Sequence, residues 1–285
     1  MTPGMLLAAL DCRHLRALDD EGYVLRQHRV MNSEALAHAS GMIKAPQVSQ
    51  LLKERRPGVV LVEGHLDTTQ QNSRVTPISQ VCATLAQALR KTGNSVLVFF
   101  CGRNLDGDDP QLGPSRLIRS LLAQLVLLLL QNRWMEDGAV IMRPSYLQGK
   151  DVDLDQLSTE DVCQLFHSLL RAVPANMSLV CIVDGISLYE KEVWQGDYDM
   201  VMRAFRLVTE DSSLAAPLKL VMTSATSSRF LSSIPRVSLR NQRGGRAFRP
   251  GGNITRTAFA AASGWHRPSS PPEEQALNRR ETSSW

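Results

Sequence analysis

The chain has 285 residues, of which 43% are hydrophobic and 21% are charged, so it can bury a sizeable core and is not a wholly disordered protein. Its formal charge of +4 comes entirely from residues 241–285, which hold seven Arg and three Glu, whereas residues 1–240 hold 25 basic and 25 acidic residues. A balanced body with few aromatic residues argues against a nucleic-acid-binding groove.

The five cysteines are odd in number and widely spaced, and none forms a C-x-x-C pair. This pattern predicts reduced core thiols in a cytoplasmic protein and gives no support to a zinc site. We expect no signal peptide, because the first residues lack a basic region followed by a long apolar stretch. The apolar run Leu121–Leu130 is about half the length that a membrane span needs, so it predicts a buried helix and no membrane association.

Residues 1–56 are predicted to form a helical N-terminal segment. Apolar residues recur at helical spacing from Met5 onward, and Ser33 stands where it could cap a helix over residues 34–39. A short amphipathic helix then ends in the basic cluster 53–56, before Pro57 and Gly58. We interpret this cluster as a solvated helix end that the helix dipole favours.

Residues 57–240 are predicted to form an α/β domain. Largely apolar runs indicate buried strands at 59–62, 96–100, 179–184 and 218–224, with a weaker strand at 235–239. Helices are predicted at 78–90 with Thr76 as N-cap, from Ser115 through the Leu-rich run, from Ser158 to about Ala172, and at 198–209. This alternation predicts a doubly wound, mostly parallel sheet of about five strands.

Residues 241–285 are rich in Gly, Pro, Ser and Arg and show no sustained periodicity, which predicts a disordered tail. A second interpretation is that this tail comes from a misread gene model rather than from a genuine terminus. Sequencing the transcript across the codons of residues 239–249 would decide between the two.

Several motifs within residues 45–240 occur in the order found in a known family. They are the strand ending Phe99-Phe100-Cys101-Gly102, the segment Leu117–Leu125 with its Arg-Ser-Leu-Leu-x-Gln-Leu pattern, the acidic strand end Val180–Gly185, and the strand Lys219–Ser224. Together they resemble fungal NACHT-type P-loop NTPases of the STAND class, and the N-terminal domain of nephrocystin-3-like proteins is the nearest named form. The resemblance implies a P-loop NTPase-like fold. Members that keep their motifs bind ATP or GTP and use it to switch an oligomerising signalling module.

The resemblance also implies a nucleotide site at the carboxyl ends of the strands. Its candidate residues are Gly64, Arg74 and Thr76 in the loop before the first helix of the α/β domain, Asp184 at the Walker B metal position, and Thr223 and Ser224 on the sensor strand. A P-loop reads G-x-x-x-x-G-K-[ST], because its backbone N–H groups cradle phosphate and its Lys reaches the β- and γ-phosphates. No second Gly and no Lys follow Gly64 before the helix, and Pro77 removes one N–H group at the helix start. Arg74 is the only cation of that loop and is a poor substitute for the Lys.

Two further parts of the implied site are missing. The family usually carries acidic residues three and four positions after the Walker B Asp, and here these are Ser187 and Leu188, with Glu190 as the nearest acid. The Arg that often follows the sensor Ser is replaced by Ala225, and Arg229 is the nearest alternative.

Three losses in one site predict a degenerate domain that acts, without a cofactor, as an interaction or oligomerisation module with a protein partner or with itself. The alternative is a residual nucleotide-binding switch, or a weak ATPase or GTPase, that binds Mg-ATP or Mg-GTP with Asp184 as the metal ligand. Whether the domain is an enzyme therefore stays open.

Two other chemistries are disfavoured by the residues at their key positions. Gly185-Ile186-Ser187 resembles the start of a G-x-S-x-G nucleophile elbow, but Tyr189 replaces the final Gly where the turn is tight. Asp151, Asp153 and Asp155 resemble the start of an EF-hand loop, yet its Gly and Glu positions hold Gln156 and Val162.

Overall fold

A computed structural model describes residues 2–10, 15–66, 73–105, 112–134, 157–228 and 234–239. The predicted disordered tail 241–285 and the EF-hand-like segment 151–156 lie outside the described residues, as does Arg229. The division of the chain at residues 56 and 240 stays a prediction.

Five strands and eight α-helices occur within the described residues. The strands are β1 (Gly58–Glu63), β2 (Ser95–Phe100), β3 (Leu179–Asp184), β4 (Leu218–Ser224) and β5 (Arg236–Ser238). The helices are α1 (Pro3–Ala9), α2 (Leu15–Arg26), α3 (Ser33–Lys44), α4 (Pro46–Lys53), α5 (Pro77–Lys91), α6 (Pro114–Gln131), α7 (Thr159–Leu170) and α8 (Gln195–Glu210). Every predicted strand is confirmed to within about a residue, because an unbroken apolar run is a strong local signal.

The predicted helix starts were less accurate than the strands. Thr76 and Ser158 are confirmed as N-caps, and each forms a capping box with the third residue of its helix. Asn32 rather than Ser33 caps α3, because its Oδ1 accepts a hydrogen bond from the N–H of Glu34 at 2.8 Å. The prediction that Ser115 opens α6 was also wrong, since Pro114 takes the first position, where a missing N–H costs nothing.

The five strands form one parallel sheet in the order β2-β3-β4-β1-β5. The connection from β1 to β2 crosses the sheet in one direction, while the later connections return in the other. Right-handed crossovers therefore place α5 on one face and the later helices on the opposite face. The two core clusters agree with this arrangement, because α3, α4 and α5 pack on one face and α6, α7 and α8 on the other. The predicted doubly wound α/β fold is confirmed.

Helix α6 is the one helix in the described part of the chain that is long and apolar enough to cross a membrane by length and composition alone. Its side chains pack against β2, α7 and α8 in the larger core cluster. A core helix passes the same test as a membrane span, and burial inside the domain accounts for its composition. The predicted buried helix is confirmed.

The structure gives a role to Gln124 of α6, the Gln of the Arg-Ser-Leu-Leu-x-Gln-Leu pattern. Strand β2 lies at one edge of the sheet, and the side-chain amide of Gln124 pairs with the backbone of Val98 on it. The N–H of Val98 donates to Gln124 Oε1 at 2.9 Å, and Gln124 Nε2 donates to the carbonyl of Val98 at 2.9 Å. The side chain thus satisfies edge groups that another strand would otherwise pair with.

Candidate functional site

Asp184 lies at the carboxyl end of β3 with only 4% of its surface exposed. The hydroxyl of Thr223, at the end of the neighbouring strand β4, donates to Asp184 Oδ1 at 2.6 Å and accepts the N–H of Gly185 at 3.1 Å. Ser79 and Cys82, both on α5, also hydrogen-bond the carboxylate. The structure therefore brings together two predicted residues, Asp184 and Thr223, and adds two that sequence reasoning missed.

Burial decides the protonation of this cluster. It raises the pKa of Asp184, and the hydrogen bonds from Ser79, Thr223 and Cys82 offset only part of that rise. Burial also raises the pKa of the Cys82 and Cys101 thiols well above the ordinary value, and the nearby charge of Asp184 adds to the effect. Both thiols therefore stay protonated at neutral pH, and neither is an activated nucleophile.

The first turn of α5 points toward Asp184, and its N–H groups are already used. The N–H of Thr76 donates to Ser79 Oγ at 3.0 Å, and the N–H of Ser79 donates to Thr76 Oγ1 at 3.1 Å. Pro77, at the first helical position, has no N–H group. Three of the four N–H positions that a helix start normally leaves open are therefore occupied or missing. A phosphate would find little of the usual helix N-terminal cradle here.

Ile78 occupies the position where a P-loop has its Lys. In the P-loop pattern the Lys directly precedes the Ser or Thr whose hydroxyl meets the metal, and Ser79 is the residue of α5 that contacts Asp184. Ile78 is buried, and a Cβ added at Gly64 would overlap its Cδ1 atom. An apolar side chain thus covers the predicted phosphate-loop glycine.

The backbone at Arg74 closes the site from the β2 side. A Cβ added at Gly102, just after β2, would overlap the carbonyl oxygen of Arg74. Gly64 is held as well, because its N–H donates to the carbonyl of Ser224 at 2.8 Å and its own carbonyl lies 3.0 Å from His38 Nε2. Residues 67–72 between these points lie outside the described residues.

The remaining polar residues of the predicted site pair among themselves. Ser224 Oγ lies 2.7 Å from the hydroxyl of Ser187, the residue that replaces the first of the family's catalytic acids. Glu190, the nearest acid, accepts hydrogen bonds from Ser228 Oγ and, at 3.3 Å, from the hydroxyl of Tyr198. Glu190 is therefore engaged in tying the segment after β3 to the segment after β4.

The residues around Asp184 do not fit a magnesium ion in this arrangement. Mg²⁺ needs near-octahedral oxygen ligands and keeps several of its waters, whereas Asp184 is enclosed by two hydroxyls and a thiol. Within the described part of the chain, no group of three or more His, Cys, Asp and Glu side chains is arranged to hold a metal ion.

Residues 79–225 match the family model described as Nephrocystin 3, N-terminal, which covers just over half of the chain. The chain belongs to the nephrocystin-3 N-terminal family. The match begins at Ser79, so it includes Asp184, Thr223 and Ser224 but not the loop 64–76. No curated protein and no solved structure matches the chain. The resemblance to the family thus begins at the first turn of α5. The segment where a phosphate loop would lie precedes the matched residues.

Proposed function

We propose that this chain is a degenerate NACHT-like NTPase domain of the STAND class that works as a non-catalytic interaction or oligomerisation module. Its partner would be another protein or a second copy of the chain, in the cytoplasm, with no cofactor, nucleic acid or membrane involved. The assignment to fungal proteins of this class rests on the motif order and belongs to the proposal.

The closed first turn of α5 is the observation that carries this proposal. A working phosphate loop offers its backbone N–H groups to the ligand, and here Thr76 and Ser79 consume them in each other's capping interactions. Opening that turn would break both capping hydrogen bonds, and Pro77 would still lack a donor. Phosphate affinity at this position is therefore expected to be weak.

The second support is the set of uncharged residues at three described positions where the family carries charged ones. The P-loop Lys position holds Ile78, which is buried over Gly64. Each catalytic-acid position holds a residue without a carboxylate, and Ser187 is already paired with Ser224. Nothing in this arrangement would polarise an attacking water, so a scaffold role agrees best with the geometry.

One observation favours the alternative of a residual nucleotide-binding switch. Ser79, Asp184 and Thr223 converge, and a P-loop Ser or Thr together with the Walker B Asp holds the magnesium ion in P-loop NTPases. If nucleotide binds, Asp184 and Ser79 are the residues that would hold its Mg²⁺. The enclosing thiol of Cys82 and the capped turn are the reasons that we rank this candidate second.

Calorimetric titration of the full chain with ATP and with GTP, each with and without Mg²⁺, tests the proposal. We expect no binding at millimolar nucleotide, and a sedimentation coefficient that nucleotide does not change. Micromolar, Mg²⁺-dependent binding that Asp184→Asn abolishes would overturn the proposal and establish the switch. Thr209→Val, far from Asp184 on α8, is the matched control for a buried polar substitution.

A further inference from the structure

A cavity lies at the opposite end of the sheet from Asp184, where β2, β3 and β4 begin. It has a volume of about 250 Å³ and is bounded by the end of α4, the turn after α5 and the segments that lead into β3 and β4. We call it the basal cavity and define it by Lys53, Arg55, Asn176, Ser178 and Lys219, all of which line it.

The charge of the basal cavity has one sign. Lys53, Arg55 and Lys219 are its charged lining residues, and no Asp or Glu of the described chain joins them in the lining. Lys53 and Arg55 are exposed at the rim, whereas Lys219 is only 3% exposed. A cavity with three cations and no lining carboxylate attracts an anion of small size.

Lys219 is a charged residue in an otherwise apolar strand. Its Nζ donates to the carbonyl of Leu52 at 2.8 Å, at the end of α4. Burial lowers the pKa of Lys219 to about 8, and the charge of Glu54 opposes this shift. An anion bound in the cavity would stabilise the ammonium form that burial disfavours.

Ser178 supplies an independent observation. The residue lines the same cavity, and its Oγ is buried and has no hydrogen-bond partner among the described residues. Buried polar atoms in folded proteins are nearly always paired, and this hydroxyl keeps a donor that no described residue uses.

The nearby helix ends would repel an anion less strongly, because one carbonyl near each end already accepts side-chain hydrogen bonds. The carbonyl of Leu52 at the end of α4 accepts from Lys219. The carbonyl of Leu89 near the end of α5 accepts from Thr92 Oγ1 at 2.9 Å and from Asn94 Nδ2 at 3.2 Å. The partial negative charges of both termini are therefore neutralised in part before any ligand arrives.

We propose that the basal cavity binds a small tetrahedral oxyanion, either phosphate or a phosphate monoester, between Lys53, Arg55 and Lys219, with the Ser178 hydroxyl as a further donor. A charge-assisted contact to each cation is the usual way in which proteins hold phosphate outside a helix N-terminus. This site is separate from Asp184, and the proposal does not depend on whether the proposed scaffold function is correct.

The test is a calorimetric titration of the full chain with sodium phosphate, at an ionic strength held constant with sodium chloride. We expect saturable binding at millimolar phosphate or below, weakened about tenfold by Arg55→Gln, which removes an exposed rim cation. Lys44→Gln, which removes an exposed cation from the last turn of α3, should leave the affinity unchanged. No saturable binding, or equal weakening by both variants, would overturn the proposal.

Two more variants examine the interior of the cavity. Lys219→Met is expected to abolish binding, and Ser178→Ala is expected to weaken it severalfold while leaving the fold intact. Because Lys219 also contacts the end of α4, loss of binding counts only if the circular dichroism spectrum is unchanged. Full affinity in Ser178→Ala would contradict the assignment of that hydroxyl as a donor.

A third titration, with O-phosphoserine, distinguishes a monoester site from a site for free phosphate. Affinity at least equal to that of phosphate indicates that the cavity accepts the ester, and weaker binding assigns it to free phosphate. ATP binding that Arg55→Gln abolishes and Asp184→Asn does not would belong to this cavity and leave the proposed scaffold function standing.

Discussion

The two ends of the parallel sheet differ in how they use their polar groups. At the carboxyl end, Asp184 is surrounded by Ser79, Cys82 and Thr223, and the start of α5 is capped by its own residues. At the amino end, Lys53, Arg55, Lys219 and Ser178 line a cavity, and the Ser178 hydroxyl has no partner among the described residues. Ligands of open α/β sheets normally bind at the carboxyl end, but here the described polar groups at that end pair with one another. The amino end has the cationic cavity for which we propose an anion.

This difference teaches that a motif residue does not by itself make a site. Asp184 occupies the expected strand end, yet its acceptor atoms are met by donors from its own chain. A ligand needs hydrogen-bond donors and acceptors that the protein does not already use. Polar groups that are buried and fully paired within the protein are not available to it.

The largest expected effect tests whether the carboxyl end is closed. Gly102→Ala should lower the free energy of unfolding by about 1–3 kcal/mol, because the new Cβ would overlap the backbone carbonyl of Arg74. Urea unfolding measures the change. Gly196→Ala is the control, since a Cβ there meets no atom within 4 Å, and we expect it to be neutral or slightly stabilising. A Gly102→Ala protein as stable as the parent would mean that the loop does not pack on β2.

A smaller effect is expected from the capping interaction that closes α5. Thr76→Ala should cost about 1 kcal/mol of stability, because it removes the side-chain acceptor of the Ser79 N–H. Ser158→Ala removes the equivalent cap of α7, far from Asp184, and should cost a similar amount in the same urea experiment. A loss at Ser158 without one at Thr76 would indicate that the first turn of α5 is not capped in solution.

The subtlest effect is a change in the pH dependence of stability. Because burial raises the pKa of Asp184 above its ordinary value of 3.8, the folded state holds this proton more tightly than the unfolded state. The contribution of Asp184 to stability is therefore highest below pH 3.8 and falls as the pH rises through the folded-state pKa. Asp184→Asn cannot ionise, so the stability difference between the variant and the parent should shift in favour of the variant with rising pH.

Urea unfolding of both proteins over a series of pH values measures that difference. The comparison is needed because Asp211, whose pKa is lowered by hydrogen bonds from Ser213 and His167, contributes a pH dependence of the opposite sign. That contribution is common to both proteins and cancels. A pH-independent difference would show that Asp184 is not buried in its described surroundings.

Much of the candidate site could be predicted, and the misses have identifiable causes. Asp184 and Thr223 were predicted because the family resemblance places a Walker B Asp and a sensor strand at these two strand ends, and parallel strands bring their carboxyl ends together. Ser79 was not predicted, because the N-cap Thr76 was taken as the site hydroxyl of this helix start. It is the hydroxyl of Ser79, three residues later, that hydrogen-bonds the Asp184 carboxylate. The P-loop spacing counted back from Ser79 would have placed Ile78 at the Lys position.

Other features had no local signal. Cys82 contacts Asp184 only because α5 lies across β3, and nothing in its neighbouring residues indicates that contact. Gln124 belongs to the Arg-Ser-Leu-Leu-x-Gln-Leu pattern, yet its pairing with Val98 depends on α6 lying beside the edge strand β2. Lys219 is a single charge within an apolar strand, and its partner, the carbonyl of Leu52, lies far away in the chain.

The sequence by itself determined the strands, the helices and their doubly wound alternation, because apolar periodicity, N-caps and proline positions act over a few neighbouring residues. Only the tertiary structure decided which polar groups meet. The strand order β2-β3-β4-β1-β5 and the placement of α5 over β3 bring Ser79 and Cys82 to Asp184 and place Lys219 and Ser178 in the lining of one cavity. Such contacts join residues distant in sequence, so they depend on packing that no local pattern specifies.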